Sequence, residues 1–149
     1  MRLRTELFVE DLDTSIGFYA GLGFAVERRE HDYASLRWGD ATIGLGPIDK
    51  LPPTGPGPGF TQERVAATRG AGVEIVLEVP DLDVALAAVR AAGHPLADEP
   101  IDRPWGLRDF RLTDPDGYYL RITTPTATNP GSDPAAQLNE ASPPASTEI

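Results

Sequence analysis

The chain contains no cysteine. Disulfides, thiolate metal sites and a cysteine nucleophile are therefore excluded. Histidine is nearly as scarce: His31 and His94 are the only two in 149 residues. Neither stands at a spacing from Ser15, Ser35 or the C-terminal serines that would pair a base with a nucleophile. No stretch is apolar for long enough to span a bilayer, and the N-terminus lacks a basic segment followed by an apolar run. A soluble, cytoplasmic protein with no membrane partner is expected. Gly-x-Ser-x-Gly, Walker-type and dinucleotide-binding fingerprints are also missing. Gly55-Pro56-Gly57-Pro58-Gly59 is no phosphate loop, because proline supplies no N–H to cradle an anion. Positive charge is in deficit, with 13 Lys and Arg against 23 Asp and Glu, a formal net charge of −10. Such a surface repels phosphate backbones and argues against nucleic acid. It suits a cationic or neutral small molecule, although solvated surface carboxylates account for the same charge.

What the chain does contain is a repeat. Val9-Glu10-Asp11-Leu12-Asp13 returns seventy residues later as Val79-Pro80-Asp81-Leu82-Asp83, and Gly23-Phe24 falls at the same offset from Gly93-His94. Each copy runs from an apolar strand through an acidic turn into an amphipathic helix that ends at glycine. The groove between two related halves is a natural place for a small ligand.

In the first copy, Leu3 to Val9 reads as a strand. Asp11 or Asp13 caps a helix with apolar positions Ile16, Tyr19, Ala20 and Leu12, closed by Gly21 and Gly23. Phe24 to Arg28 alternates as a strand, and Tyr33 to Trp38 with Ala41 to Leu45 forms a hairpin about Gly39-Asp40. Residues 46–59 are too rich in Pro and Gly for a regular helix or a central strand, and one or two helical turns fit within Phe60 to Gly70. In the second copy, Val73 to Val79 is a strand. Leu82, Ala85, Leu86, Val89 and Ala92 mark the inner face of a helix capped by Asp81. Leu96 lies in a short strand. Leu107 to Leu112 and Tyr118 to Thr123 form a hairpin about Asp114-Pro115-Asp116-Gly117.

The expected class is α+β: two βαβββ modules, about residues 1–46 and 72–125, joined by a connector at 47–71, their curved mixed sheets set around a cleft. The modules pair within one chain or between two. Residues 126–149 turn to Pro, Ala, Ser, Thr, Asn and Glu, the composition of a disordered tail.

The paired pattern, with Val-x-Asp-Leu-Asp at each strand-to-helix turn, resembles the vicinal oxygen chelate superfamily of glyoxalases, extradiol dioxygenases and antibiotic-resistance proteins. Pro104-Trp105-Gly106-Leu107-Arg108-Asp109-Phe110, followed by Asp114 to Ile122, is similar to the last hairpin of its bleomycin-resistance branch. Asp11-Leu12, Phe18-Tyr19 and Leu22-Gly23-Phe24 resemble the superfamily's first helix and its exit. The resemblance covers about residues 1–125.

Catalytic members hold a divalent metal with His and with Glu or Gln from strand positions. By resemblance those positions here are Arg4, Glu74, Arg121 and the stretch Ile43 to Leu45, which has no acidic or amide side chain. Arginine stays protonated and repels a dication, and one carboxylate cannot hold the ion alone. No metal or other cofactor is expected. Arg4, Glu74 and Arg121 either satisfy one another as a charged cluster or contact a ligand. The resemblance also implies a homodimer with grooves that grip a drug between aromatic side chains and acidic surface. Trp105 matches that motif, with Trp38, Tyr33, Phe60, Arg108, Asp109 and Glu74 as further ligand contacts. Core packing is the competing role for Trp38, and an ordinary ion pair for Glu74 and Asp109. The expected function is binding or sequestration of a small organic ligand, such as a cationic aromatic antibiotic of the bleomycin type. The rival is a metal-dependent lyase or dioxygenase with an atypical site.

Overall fold

The computed structural model describes residues 3–67, 69–104 and 106–125. The expectations for Trp105 and for the tail lie outside these residues. The chain folds in the order β1 (Thr5–Val9), α1 (Leu12–Gly21), β2 (Ala25–Arg29), β3 (Ala34–Trp38), β4 (Ala41–Pro47), a single 3-10 turn (Ile48–Lys50), α2 (Gln62–Ala67), β5 (Glu74–Glu78), α3 (Leu82–Ala91), β6 (Leu96–Asp102), β7 (Arg108–Thr113) and β8 (Tyr119–Thr123). The strands form two four-stranded mixed sheets of identical layout, β1-β4-β3-β2 and β5-β8-β7-β6. In each sheet the first and fourth strands run parallel and the other neighbours antiparallel. This is the α+β class that the repeat predicts.

Alternation along the strands decides what each sheet buries. Leu7 and Val9 of β1, Leu36 of β3, and Ile43 and Leu45 of β4 face inward. Leu77, Phe110, Leu112, Leu120 and Ile122 do the same in the second sheet. Together with Leu12, Phe18, Tyr19, Leu82 and Val89 of the helices they form one apolar cluster shared by both modules. The other face of each sheet carries the charged residues.

Several local expectations shift. β4 runs on through Gly46 and Pro47, so the connector begins later than its Pro-Gly composition implies. Gly46 pairs with Phe8, and Pro47 closes the ladder, where a missing N–H costs least. In α1, Phe18 and Ser15 are buried, whereas Ala20 is exposed and Ile16 only half-buried. Ser15 is tolerated inside because its Oγ donates to Asp116 Oδ2 at 3.1 Å. Asp11 is the cap, accepting from Thr14 N at 2.6 Å; hydrogen bonding from the Thr14 side chain, then from its amide, holds the carboxyl below the usual range.

That serine contact belongs to a larger joint. In the Asp-Pro-Asp-Gly turn, Asp114 Oδ1 accepts the amides of Asp116 (3.0 Å) and Tyr118 (2.8 Å), and Gly117 takes the positive φ of +92° that the turn needs. The turn then reaches into the first module. Tyr19, completely buried, donates its hydroxyl to Asp114 Oδ2 at 2.8 Å. Asp116 Oδ1 accepts from Glu10 N at 2.8 Å. The Tyr118 hydroxyl donates to Phe8 O at 3.0 Å and accepts from Phe8 N at 3.2 Å. Tyr118 therefore precedes β8 and bridges the modules, where the sequence pattern puts it in the strand. His94 also joins them, its ring tilted against Phe18 with 4.5 Å between centroids.

Candidate functional site

The sequence-predicted residues that the structure describes do not converge on one point. They occupy the outer faces of the two sheets, the seam between the modules, and the connector.

On the first sheet, Glu6, Tyr33 and Gly44 share the outer face. Arg4 Nε pairs with Glu6 at 2.6 Å, the Tyr33 hydroxyl donates to the same carboxylate at 3.2 Å, and the Arg28 guanidinium lies 4.8 Å over the Tyr33 ring. Burial, followed by the charge of Glu6, raises the Tyr33 pKa. Gly44 makes this arrangement possible, because a Cβ there would collide with both the Glu6 carboxylate and the Tyr33 hydroxyl.

On the second sheet, Arg111 and Arg121 stand directly opposite each other in the β7–β8 pairing. Like charges so placed repel, and acidic neighbours offset them. Glu74 lies 3.3 Å from Arg121 and 3.9 Å from Arg111, and Asp98 lies 3.9 Å from Arg111. Asp109 is fully buried and accepts from Arg103 at 2.7 and 2.9 Å through one oxygen. Its other oxygen and the Nε atoms of Arg111 and Arg121 have no hydrogen-bond partner among the described residues. The expected Arg4–Glu74–Arg121 cluster is thus replaced. Arg4 belongs to the other sheet with Glu6, and the second arginine at Glu74 is Arg111, brought there by its register opposite Arg121. Arg108 is exposed at the start of β7, 3.5 Å from Asp83, on the rim of this face.

Trp38 sits at the seam. Its ring packs on Gly23, 3.7 Å from where a Cβ would stand, and edge-on to Phe24 at 5.8 Å, leaving it half-buried. It serves both the core and a groove. The groove, about 540 Å³, runs between Trp38 to Ala41 of the first module and Val76 to Pro80 of the second. A second hollow of about 340 Å³ adjoins it and shares Trp38 and Pro80. The charged residues lining the two are Asp40, Glu78 and Asp81, all acidic. No ion pair among the described residues engages Asp40 or Glu78. An aromatic plane beside carboxylates that lie outside any close ion pair attracts a flat cation, with Arg37 offsetting part of the charge of Asp40. Asp40 and Glu78 escape sequence reasoning: one reads as a turn residue, the other as a strand end, and only packing of the modules sets both beside Trp38.

Phe60 lies apart, in the connector. It is 63% exposed and tilts against Phe8 with 4.7 Å between centroids.

The profile described as "Glyoxalase/Bleomycin resistance protein/Dioxygenase superfamily" matches residues 3–122. The chain belongs to this superfamily. Solved structures agree at the level of fold. A bleomycin resistance determinant encoded on the transposon Tn5 is 22% identical, with a TM-score of 0.61 over 83% of this chain and 97% of that one. A bleomycin-binding protein complexed with bleomycin is also 22% identical, with a TM-score of 0.61 over 85% and 99%. A lactoylglutathione lyase from Agrobacterium tumefaciens is 17% identical, with a TM-score of 0.63 over 83% and 92%. No curated protein matches in sequence. Among the described residues of this superfamily member, no helix is long and apolar enough to cross a membrane.

The divalent cation that the resemblance implies for catalytic members does not fit the donors among the described residues. Among the described residues no three His, Asp or Glu side chains gather to hold one. Arg111 and Arg121 crowd the carboxylate of Glu74 that a cation would need.

Proposed function

We propose that this superfamily member binds a small cationic aromatic molecule, without a metal, in the groove beside Trp38, and acts by sequestering it. A bleomycin-type antibiotic is the ligand class. The observation that carries the reading is the pairing of a half-buried tryptophan with Asp40 and Glu78 in a groove lined by both modules. The similarity to a bleomycin-binding protein supports it at the level of fold. Sequestration needs no reacting group, since free drug falls by mass action in proportion to the protein's abundance and affinity. The sequence-based expectation that Trp105 contacts the ligand is kept as part of this proposal, Trp105 lying outside the described residues. The Tyr33 hydroxyl and the paired carboxylates of Glu74 and Asp109 shape the outer sheet faces rather than grip the drug.

The test is titration of the purified protein with bleomycin-type drugs, followed by tryptophan fluorescence. Quenching or a spectral shift is expected. Asp40→Asn combined with Glu78→Gln should weaken binding about tenfold at low salt, less as ionic strength rises. Both positions are exposed, so the fold should hold. No optical response to any such drug removes the antibiotic reading. A stoichiometric divalent metal in protein purified without chelator would favour the lyase or dioxygenase alternative.

We also propose a cytoplasmic homodimer. Val26, Val76 and Val84 leave apolar surface for a second copy to cover. Sedimentation should return about twice the 16.0 kDa chain mass; a monomer at micromolar concentration would contradict it.

A further inference from the structure

A further cavity, of opposite charge, lies under the connector. It encloses about 360 Å³ between α2, the end of β1 and the start of the second module. That volume falls within the range of about 300–1,000 Å³ typical of small-ligand pockets. Its walls are mostly apolar, with Leu7, Val65 and Val73 beside the rings of Phe8, Phe60 and Tyr118. Phe60 and Val73 stay 63% and 57% exposed at the opening, although each has apolar neighbours within the cavity. The two charged residues of the lining are both arginines.

Those arginines are not equivalent. Arg69 is neutralised, pairing with Asp116 at 2.7 Å and also with Glu10. Arg64 donates to two neutral carbonyls, Gly59 O at 2.8 Å and Gly55 O at 2.9 Å, and meets no carboxylate among the described residues. These bonds hold the guanidinium against the Pro-Gly loop at the cavity wall. A guanidinium has five N–H donors, so two such bonds leave donors and a full positive charge for a ligand. Among the described lining residues a cation has no carboxylate to pair with, and a wholly apolar molecule would leave the guanidinium unanswered.

We propose that this cavity is a second binding site, for a small amphipathic organic anion such as an aromatic carboxylate. The ring lies against Phe8, Phe60 and Tyr118, and the carboxylate meets Arg64. The site is separate from the acidic groove beside Trp38 and does not rest on the function proposed for that groove.

Calorimetry with the full chain and three probes of one shape tests it: 2-naphthoate, 2-naphthamide and 2-naphthylmethylammonium. Naphthoate should bind about tenfold more tightly than the amide. R64Q should weaken naphthoate more than the amide and so remove most of that preference. F60A, at an exposed position, should weaken both naphthoate and amide. The D40N/E78Q variant should leave naphthoate binding intact, which separates this site from the groove. Naphthoate that binds no better than the amide, or that is insensitive to both R64Q and F60A, overturns the proposal.

Discussion

Asp114→Ala should lower the free energy of unfolding by about 3 kcal/mol, with a fall in Tm of about 10 °C. Three donors lose their acceptor at once: the Tyr19 hydroxyl and the amides of Asp116 and Tyr118. The Tyr19 side chain has no exposed surface, so water cannot replace the lost partner. The residue also joins the modules, since Tyr19 lies on α1 and Asp114 just after β7. Asp114→Asn should cost much less, about 1 kcal/mol, because the retained carbonyl oxygen still accepts both amides and the phenol can turn to accept from the new NH2 group. Urea unfolding followed by far-UV circular dichroism measures both. Equal losses in the two variants, or an alanine variant within 1 kcal/mol of the parent, would show that the joint carries little of the stability.

Raising the pH above about 10 should unfold the protein steeply, and Tyr19 should carry most of the effect. Burial, reinforced by the charge of Asp114, pushes the Tyr19 phenol far above its ordinary 10.0. The folded chain keeps that proton while the unfolded chain releases it. Stability from this group is therefore full below pH 10 and falls above it, by about 1.4 kcal/mol for each pH unit. Between pH 10 and 11.5 the loss from Tyr19 alone is about 2 kcal/mol. Tyr118 is raised in the same direction, again first by burial, and adds a smaller share because it is only half-buried. Tyr19→Phe should be weaker at pH 8, since it leaves an Asp114 oxygen unpaired, yet lose about 2 kcal/mol less than the parent between pH 10 and 11.5. Parallel losses in parent and variant over that interval would exclude Tyr19 as the source.

Both predictions arise from a stretch whose local form is legible in the sequence and whose role is not. Asp114-Pro115-Asp116-Gly117 reads as a tight turn because proline presets one φ and glycine accepts a positive one. Those are properties of neighbouring residues. That the same aspartates receive Tyr19, Ser15 and Glu10, about a hundred residues away, depends on how the modules meet. Ser15 illustrates the consequence. A hydroxyl on a buried helix face contradicts the apolar pattern until its partner arrives from the other module, and the periodicity of α1 is misread for that reason.

The charged faces show the same division. The positions of Arg4, Glu74 and Arg121 point to a place where arginine stands in for a metal ligand, but their grouping does not follow from position. Cross-strand register puts Arg111 beside Arg121 and draws Glu74 to both, while Arg4 stays with Glu6 on the other sheet.

The sequence by itself determined the duplicated βαβββ plan, the cap at Asp81, the two hairpins and the lack of thiolate chemistry. Each of these follows from residue type and short spacing, which act through backbone sterics and local hydrogen bonds. Tertiary structure alone decided which ions pair, that Asp40 and Glu78 flank Trp38, and that Arg64 faces a cavity without a carboxylate. Those relations join residues from different elements, and only close packing of the two modules brings them within the few ångströms over which charge and hydrogen bonding act.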